Sequence, residues 1–415
     1  MEVYLKNLAR KMAESEKVFV FTRARLGNKK HLEMEVDVDE GIEVTKLRVN
    51  PRALLDFRST YQRDQVDIIF RNYLLEKKPD IVHIHHLGGL SLGMIRFADE
   101  LGIPVILTSH DHHPFCPRGQ RIRNDKRICQ KMVLDECLEC LKPQTVGLNL
   151  PAKLAMYVLS KDKGLQQLRE MHAEIERQFA RVFRIIAPSK FHRFRIIEAG
   201  APEDKTIVLP YGLDLSLVEN VPARPKGEPV RRFGYLGTLI PSKGVEDLIL
   251  AFKKMKTKGC ELHIFGEAVP YHGLSDYDRR LKEMAAGFPV HFHGAYQPNE
   301  LPQALAQIDC MVLPSRWYES FGITIREALR ARRPVIVSDI GAFQEAIVHN
   351  QNGLLFQAGD VFNLREMMDL LAHKPELADK LVEKEYQTES LVDHCRKLKA
   401  LYQQAIQEKK AGRTD

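Results

Sequence analysis

The residues of this chain best suited to chemistry lie in two stretches of its C-terminal half. The run Gly-Tyr-Leu-Gly-Thr-Leu-Ile-Pro-Ser-Lys-Gly (234–244) leads from a predicted strand into a predicted helix start, where Pro241 and Ser242 are favoured residues. Lys243 then falls in the first helical turn, where the macrodipole favours a carboxylate. A cation beside free helix amides makes sense when an anion such as a diphosphate lands there. A solvated surface lysine is the plainer alternative, and on this motif alone the stronger one. The second stretch is PSRWYESFGITIREALRARRPVIVSD (314–339). Its strand ends near Ser315, a loop holds Glu319, and a helix starts around Gly322 with Glu327 on its second turn. Carboxylates accept hydrogen bonds from vicinal hydroxyls, and the amides of Phe321, Gly322 and Ile323 between them suit phosphate or sugar oxygens. A sugar nucleotide presents sugar hydroxyls, diphosphate and ribose hydroxyls in that order. Two glutamates at this spacing also arise by chance in any Glu-rich helix.

A third cluster is Cys116-x12-Cys129-x7-Cys137-x2-Cys140, in a loop-like stretch at 112–145. Four thiolates can close a tetrahedral zinc site. Four reduced cysteines in a loop are the equal alternative, because the spacing between the two halves is irregular. Five basic residues lie between Cys116 and Cys129, which suits a phosphate-bearing acceptor or the compensation of an all-thiolate site. The Asp37/Asp39 and Asp276/Asp278 pairs read as solvated turns. No G-x-G-x-x-G follows a predicted strand and no P-loop occurs, so hydride transfer and ATP hydrolysis lose their usual phosphate cradles.

These side chains need a scaffold, and the hydrophobic pattern supplies one. Short Val- and Ile-rich runs alternate with amphipathic segments: strands at 17–21, 42–49, 80–87, 103–109 and 184–189, with helices around 60–77, 90–101 and 150–182. A second series has strands at 231–237, 261–266, 290–294, 310–315, 334–339 and 353–357, followed by helical chain. Runs apolar on both faces and separated by helices predict parallel strands covered on both sides. The fold class is therefore α/β, with two doubly wound, Rossmann-like domains whose ligands meet the carboxyl ends of the strands in a cleft. The expected division is an N-terminal domain at 1–211, a Pro- and Gly-rich linker at 212–230, a C-terminal domain at 231–385, and a terminal helix at 386–415 that packs back on the first domain.

The 415 residues, 44% hydrophobic and 28% charged, fit a globular protein of two or three domains. Lysine and arginine exceed aspartate and glutamate by only 62 to 55, too mild an excess to argue for nucleic acid. It suits anionic substrates or a lipid surface. The seven cysteines are odd in number and follow no signal-like segment, which disfavours a disulfide framework. These readings predict a cytoplasmic protein.

Glu319-Ser-Phe-Gly…Glu327-Ala, with Lys243-Gly upstream and PVIVSDIGAFQEAIVHNQNGLLF (334–356) downstream, resembles the retaining nucleotide-sugar glycosyltransferases of family 4, which have the GT-B fold. PDIVHIHHLGGLSLG (79–93), LTSHDHHPFCPRG (107–119) and APSKFHRF…VLPYGLD (187–214) extend the resemblance over the N-terminal half. The resemblance implies that Lys243 neutralises the leaving diphosphate, Glu319 holds the donor sugar and Glu327 the ribose. His110 would contact the donor sugar near the reacting carbon, although by its residue type alone a packed histidine is the preferred reading. Phe292, His293 and Gly294 would line the base, and Gly237, Thr238 and Gly266 complete the implied donor-binding set with Phe321, Gly322 and Ile323. His83, His85 and His86 would pack or face the acceptor.

The implied reaction moves a sugar from a UDP- or GDP-sugar to a glycan or lipid-linked acceptor, with retention and no catalytic cofactor. Structural zinc at the cysteines stays open. Envelope polysaccharide or glycolipid synthesis is the expected setting, with peripheral contact at the inner membrane face through the basic segment Arg169–Arg195. A scaffolding subunit that binds the nucleotide sugar without efficient transfer is the alternative. The family's arginine after the glycine is here Thr238, so Lys243 bears more of the charge or Arg316 substitutes. Arg332 replaces a usual glycine. Met1 opens inside what resembles the family's first helix, ahead of which members have a strand and a glycine-rich turn. The expectation is a piece of a longer chain or a rearranged N-terminal sheet, and a protein that binds nucleotide but transfers sugar poorly.

Overall fold

Four-residue runs such as Cys310–Leu313 and Val335–Ser338 are buried at every position, which only a strand covered on both faces achieves. In a computed structural model, which describes residues 2–50, 56–123, 127–141, 161–271 and 274–412, such runs build two α/β units. The first unit comprises Met1–Asp125, Cys129–Pro210 and Val392–Asp415; the second comprises Tyr211–Leu391 with Lys126–Ile128.

The first unit has strands β1 (Phe19–Ala24), β2 (Met34–Asp39), β3 (Ile42–Arg48), β4 (Val82–Ile84), β5 (Val105–Thr108), β6 (Arg184–Ala187) and β7 (Thr206–Val208). They fall into two sheets, β1-β3-β2 and β4-β5-β6-β7, and among the described residues no ladder joins β1 to β4. The core between sheet and helices gathers Leu47, Ile95, Val105, Phe179 and Ile185. The terminal helix Leu391–Ala411 is tied into this unit: Tyr4 Oη and His394 Nε2 are 2.6 Å apart, and Lys409 Nζ donates to Asp99 at 2.6 Å. The expected helix at 150–182 appears as Lys161–Ala180, and its first part lies outside the described residues.

The second unit has β8 (Arg232–Leu236), β9 (Glu261–Phe265), β10 (Val290–Gly294), β11 (Cys310–Leu313), β12 (Val335–Ser338) and β13 (Leu354–Phe356). All run parallel in the order β10-β9-β8-β11-β12-β13, a doubly wound sheet whose order reverses between β8 and β11. Val218, Val221 and Val230, from the stretch expected as a linker, are buried in this unit's core.

Two strands escape the sequence reading. β2 is antiparallel to β3 and mostly exposed, and it holds Asp37 and Asp39 on a strand rather than in a turn. Asp37 pairs there with Lys46 at 2.6 Å. β7 is only three residues long. Of the other expected pair, Asp276 precedes the helix Tyr277–Ala285 and faces Arg279 and Arg280. Asp278 lies in the first turn of that helix, paired with Lys282 at 2.8 Å, rather than in a solvated turn.

Candidate functional site

In the second unit the carboxyl ends of β8, β9 and β10 converge through glycines. Gly237 adopts φ +154°, and Gly266 adopts φ +143° with its ideal Cβ position only 1.9 Å from the Gly237 carbonyl oxygen. No side chain fits between these two turns. Gly237 N–H donates to Phe265 O at 3.0 Å and Gly266 N–H to Gly294 O at 2.7 Å, so the three expected donor-binding turns form one rim. Thr238 is exposed on it, its carbonyl accepting from Tyr235 Oη at 2.9 Å. Phe292 is half-buried on edge strand β10. His293, beyond it, is exposed, with its ring stacked on Phe265 at 4.1 Å and 7°.

Lys243 does not sit in an α-helical first turn. Pro241–Lys243 is one 3-10 turn, and left-handed Gly244 (φ +71°) separates it from the helix Val245–Lys253. A Cβ at Gly244 would lie 1.9 Å from Pro314 O, so the turn abuts the end of β11. Arg316 N–H donates to Ser242 O at 2.8 Å and fastens the two loops together. Lys243 Nζ reaches Glu319 Oε1 at 2.7 Å. Ser315 Oγ and Trp317 Nε1 donate to the same oxygen at 2.6 and 2.7 Å, and Lys243 lies 5.0 Å above the Trp317 ring. The sugar-binding and diphosphate-binding candidates are thus neighbours, joined through one carboxylate oxygen. Arg316 does not supply a second free cation: its guanidinium is forked onto buried Asp247.

Glu319 is fixed from behind by Gly341, where a Cβ would come within 2.9 Å of the Glu319 backbone, and by Ala342 N–H donating to its carbonyl at 3.0 Å. Gly322 (φ +78°) starts the helix Ile323–Arg330, and no side chain caps that end, which leaves first-turn amides for an incoming oxygen. The Phe321 ring lies 3.7 Å beneath the Arg326 guanidinium, which also donates to the Phe321 carbonyl. The sequence reading missed Arg326, although its spacing from Phe321 is the i,i+5 reach of one helical start. At the residue after Arg326, burial lifts the Glu327 carboxyl to about 7. Tyr296, just after β10, has its hydroxyl pKa raised by burial and then by the charge of Glu327. That proximity links the expected base-lining and ribose-binding elements and has no local sequence signal.

In the first unit, His110 follows β5 and is buried. Its Nε2 lies 3.0 Å from His85 Nδ1 with the rings stacked, and burial followed by His85 holds its pKa well below the usual histidine range. His83 is 2.8 Å from Thr108 Oγ1 and 2.5 Å from Tyr402 Oη. His86 approaches Asp111 at 3.5 Å, and His85, His86, Ser109, His110, Asp111 and His113 line a small recess. His110 thus stands beside this recess buried and neutral, with its Nε2 engaged by His85.

Cys137 and Cys140 lie three residues apart on the helix Leu134–Leu141, and burial raises the Cys137 thiol to about 12, with the other three cysteines contributing. No three of the four sulfurs lie within 4.8 Å of one another; among the described residues only Glu261, His263 and His291 meet that test. In the basic segment, Arg177, Arg181, Arg193 and Arg195 each face a carboxylate, so much of its charge is already compensated. No described helix is long and apolar enough to cross a membrane.

Comparison with known proteins decides the family. Residues 1–217 match Glycosyltransferase Family 4, and residues 219–388 match glycosyl transferases group 1. The chain belongs to glycosyltransferase family 4. Among curated relatives of this family-4 chain, glycogen synthase of Mycobacterium tuberculosis is 31% identical over 175 residues, 42% of this chain and 41% of that protein. Sulfoquinovosyl transferase SQD2 of Arabidopsis thaliana is 25% identical over 306 residues, 72% of this chain and 51% of that one. The matches thus span about half or less of these two relatives. Solved structures share the fold: sucrose-phosphate synthase from Thermosynechococcus elongatus has a TM-score of 0.65 at 18% identity, covering 97% of this chain and 92% of that one. The Anabaena protein HepE, in complex with UDP and glucose, has 0.64 at 17%, covering 96% and 95%. Both are GT-B glycosyltransferases, and the two parallel-sheet units of the family-4 chain have that architecture.

Proposed function

We propose that this chain transfers a sugar from a UDP- or GDP-sugar to an acceptor hydroxyl with retention at the anomeric carbon, in envelope polysaccharide or glycolipid synthesis. The observation that carries this reading is the Lys243–Glu319 contact at 2.7 Å beside the glycine rim. A cation and a hydroxyl acceptor this close match adjacent diphosphate and sugar groups of one donor. The bond from the anomeric carbon to the diphosphate breaks as the acceptor oxygen bonds to the same carbon, and the acceptor proton passes to a diphosphate oxygen. Lys243 and the uncapped amides at Gly322 and Ile323 would stabilise the departing charge, so the protein contributes positioning and electrostatics. Neutral His110 would orient a sugar hydroxyl.

Two comparisons support the donor class. A neighbouring structure is HepE with UDP-glucose, and a mycobacterial relative 28% identical over 191 residues is a GDP-mannose-dependent mannosyltransferase. A second reading, a nucleotide-sugar-binding subunit that transfers poorly, is favoured by the absence, among the described residues, of a ladder between β1 and β4. Incubating purified protein with UDP- and GDP-sugars and a panel of polyprenyl- and glycan-linked acceptors tests both. Release of nucleoside diphosphate together with an α-configured product supports transfer with retention. Donor binding without turnover supports the binding subunit, and no binding of any donor sinks both.

A further inference from the structure

The outward side of the β9–β10 edge bears a histidine ladder, of which the donor site takes only its last member, His293. Parallel pairing places His291 opposite His263, the period of two puts Glu261 on the same face, and His293, at the bulge before Gly294, joins them by stacking on His263. Alternate residues Leu262 and Ile264 are fully buried on the other face. The rings stack in sequence, His291 on His263 at 5.0 Å and 29°, and His263 on His293 at 5.3 Å and 15°.

Glu261 Oε2 lies 3.3 Å from His263 Nε2 and 3.9 Å from His291 Nε2, and the three ligand atoms lie within 4.8 Å of one another. A tetrahedral ion with metal–ligand bonds of about 2.0–2.1 Å separates its ligands by about 3.3 Å. One edge of that tetrahedron is already in place, and a small rotation of the exposed His291 ring closes the others. The remaining nitrogen of His263, Nδ1, is 3.1 Å from His293 Nε2. The tautomer in which Nδ1–H donates to His293 leaves the Nε2 lone pair turned toward Glu261, the arrangement by which an outer partner orients a metal-bound imidazole.

We propose that Glu261, His263 and His291 form a binding site for a divalent transition ion such as Zn2+, Co2+ or Ni2+, with His293 orienting His263 from behind. Two imidazoles and one carboxylate favour such ions over Mg2+ or Ca2+, which seek oxygen. Bound there, the ion would cross-link β10, the edge strand of this sheet among the described residues, to β9.

The test uses untagged full-length protein stripped of metal, titrated with CoCl2 and with NiCl2, and read by calorimetry and by the visible d–d bands of Co2+. Wild type should bind one more equivalent than His291→Ala or Glu261→Gln, and its melting temperature should rise with metal while those of the variants do not. Both substituted side chains are exposed, so folding should be preserved. Equal stoichiometry and equal melting shifts in wild type and both variants would overturn the proposal. So would loss of all wild-type binding after alkylation of the cysteines, which would put the ion at the thiols instead.

Discussion

Replacing Lys243 by Met and Glu319 by Gln should separate the two ends of the proposed donor. In the unliganded protein, Lys243, Ser315 and Trp317 all converge on Glu319 Oε1. Unit charges 2.7 Å apart attract by about 6 kcal/mol at an effective dielectric near 20. Desolvation offsets most of that, because the Glu319 side chain is only 9% exposed. An arriving diphosphate offers Lys243 a second, stronger anion, so the lysine contributes what a charge-assisted hydrogen bond does, about 1.5–3 kcal/mol. Lys243→Met should therefore weaken UDP or GDP binding by roughly 10- to 150-fold. Glu319→Gln removes the competing carboxylate yet keeps an oxygen for Ser315 and Trp317. The nucleoside diphosphate alone should then bind at least as tightly as to wild type, while the affinity added by the sugar is lost. Calorimetry with each diphosphate and its sugar derivative reads both effects, with thermal melting as the check on folding. Unchanged diphosphate affinity in Lys243→Met would refute the reasoning, as would an equal loss in Glu319→Gln.

Gly244→Ala should destabilise the protein by more than Gly227→Ala. Both residues are left-handed, a strain of about 1–2 kcal/mol for a side chain. Only Gly244 has backbone within 1.9 Å of the new Cβ, and urea denaturation of the two variants measures the difference. Asp67 is buried and its carboxyl is pushed up to about 6, mainly by desolvation. The folded state therefore holds a proton that the unfolded chain releases near pH 4, and stability falls as pH rises from about 4 to 6. Asp67→Asn should reduce that fall by about 3 kcal/mol, seen by comparing unfolding free energies at pH 4 and pH 8. If Glu327 binds ribose hydroxyls as a carboxylate, nucleotide affinity should strengthen between pH 6 and 8 in wild type, as a group titrating near 7 loses its proton. Calorimetry on Glu327→Gln should show no such rise.

What could be read from sequence depended on how local its physical cause is. β8, β11 and β12 announce themselves because strands buried on both faces must be continuously apolar. β2 does not, since Met34, Val36 and Val38 are half or more exposed and only pairing with β3 makes the segment a strand. The Lys243-Gly motif was visible, but not the consequence of Gly244, whose left-handed turn breaks the helix one residue later. The partner that neutralises Arg316 was invisible because Asp247 is 69 residues away and meets it only through the loop contact at Ser242. The proximity of Tyr296 to Glu327 has the same character: it exists only once the sheet brings the end of β10 and the helix Ile323–Arg330 to the same edge, although β9 and β8 lie between β10 and β11.

The first unit is interrupted in sequence, since its terminal helix is synthesised only after residues 211–391. That fixes an order of events during folding. Tyr4 meets His394, and Ser15 and Glu16 meet Lys399, across nearly the whole chain, so the first unit cannot finish before the last segment exists. Closing a loop as long as the second unit would cost about 4–5 kcal/mol if that unit were still unfolded. The second unit lowers this by fastening its own ends: Leu213 N–H donates to Glu389 O, and Leu391 N–H donates to Leu213 O, both at 2.9 Å. Once that clasp forms, the intervening chain counts as a tether of a few residues. The second unit should thus close ahead of the docking of the terminal helix, and pulse-labelled hydrogen exchange should show β8–β13 protected before Leu391–Ala411.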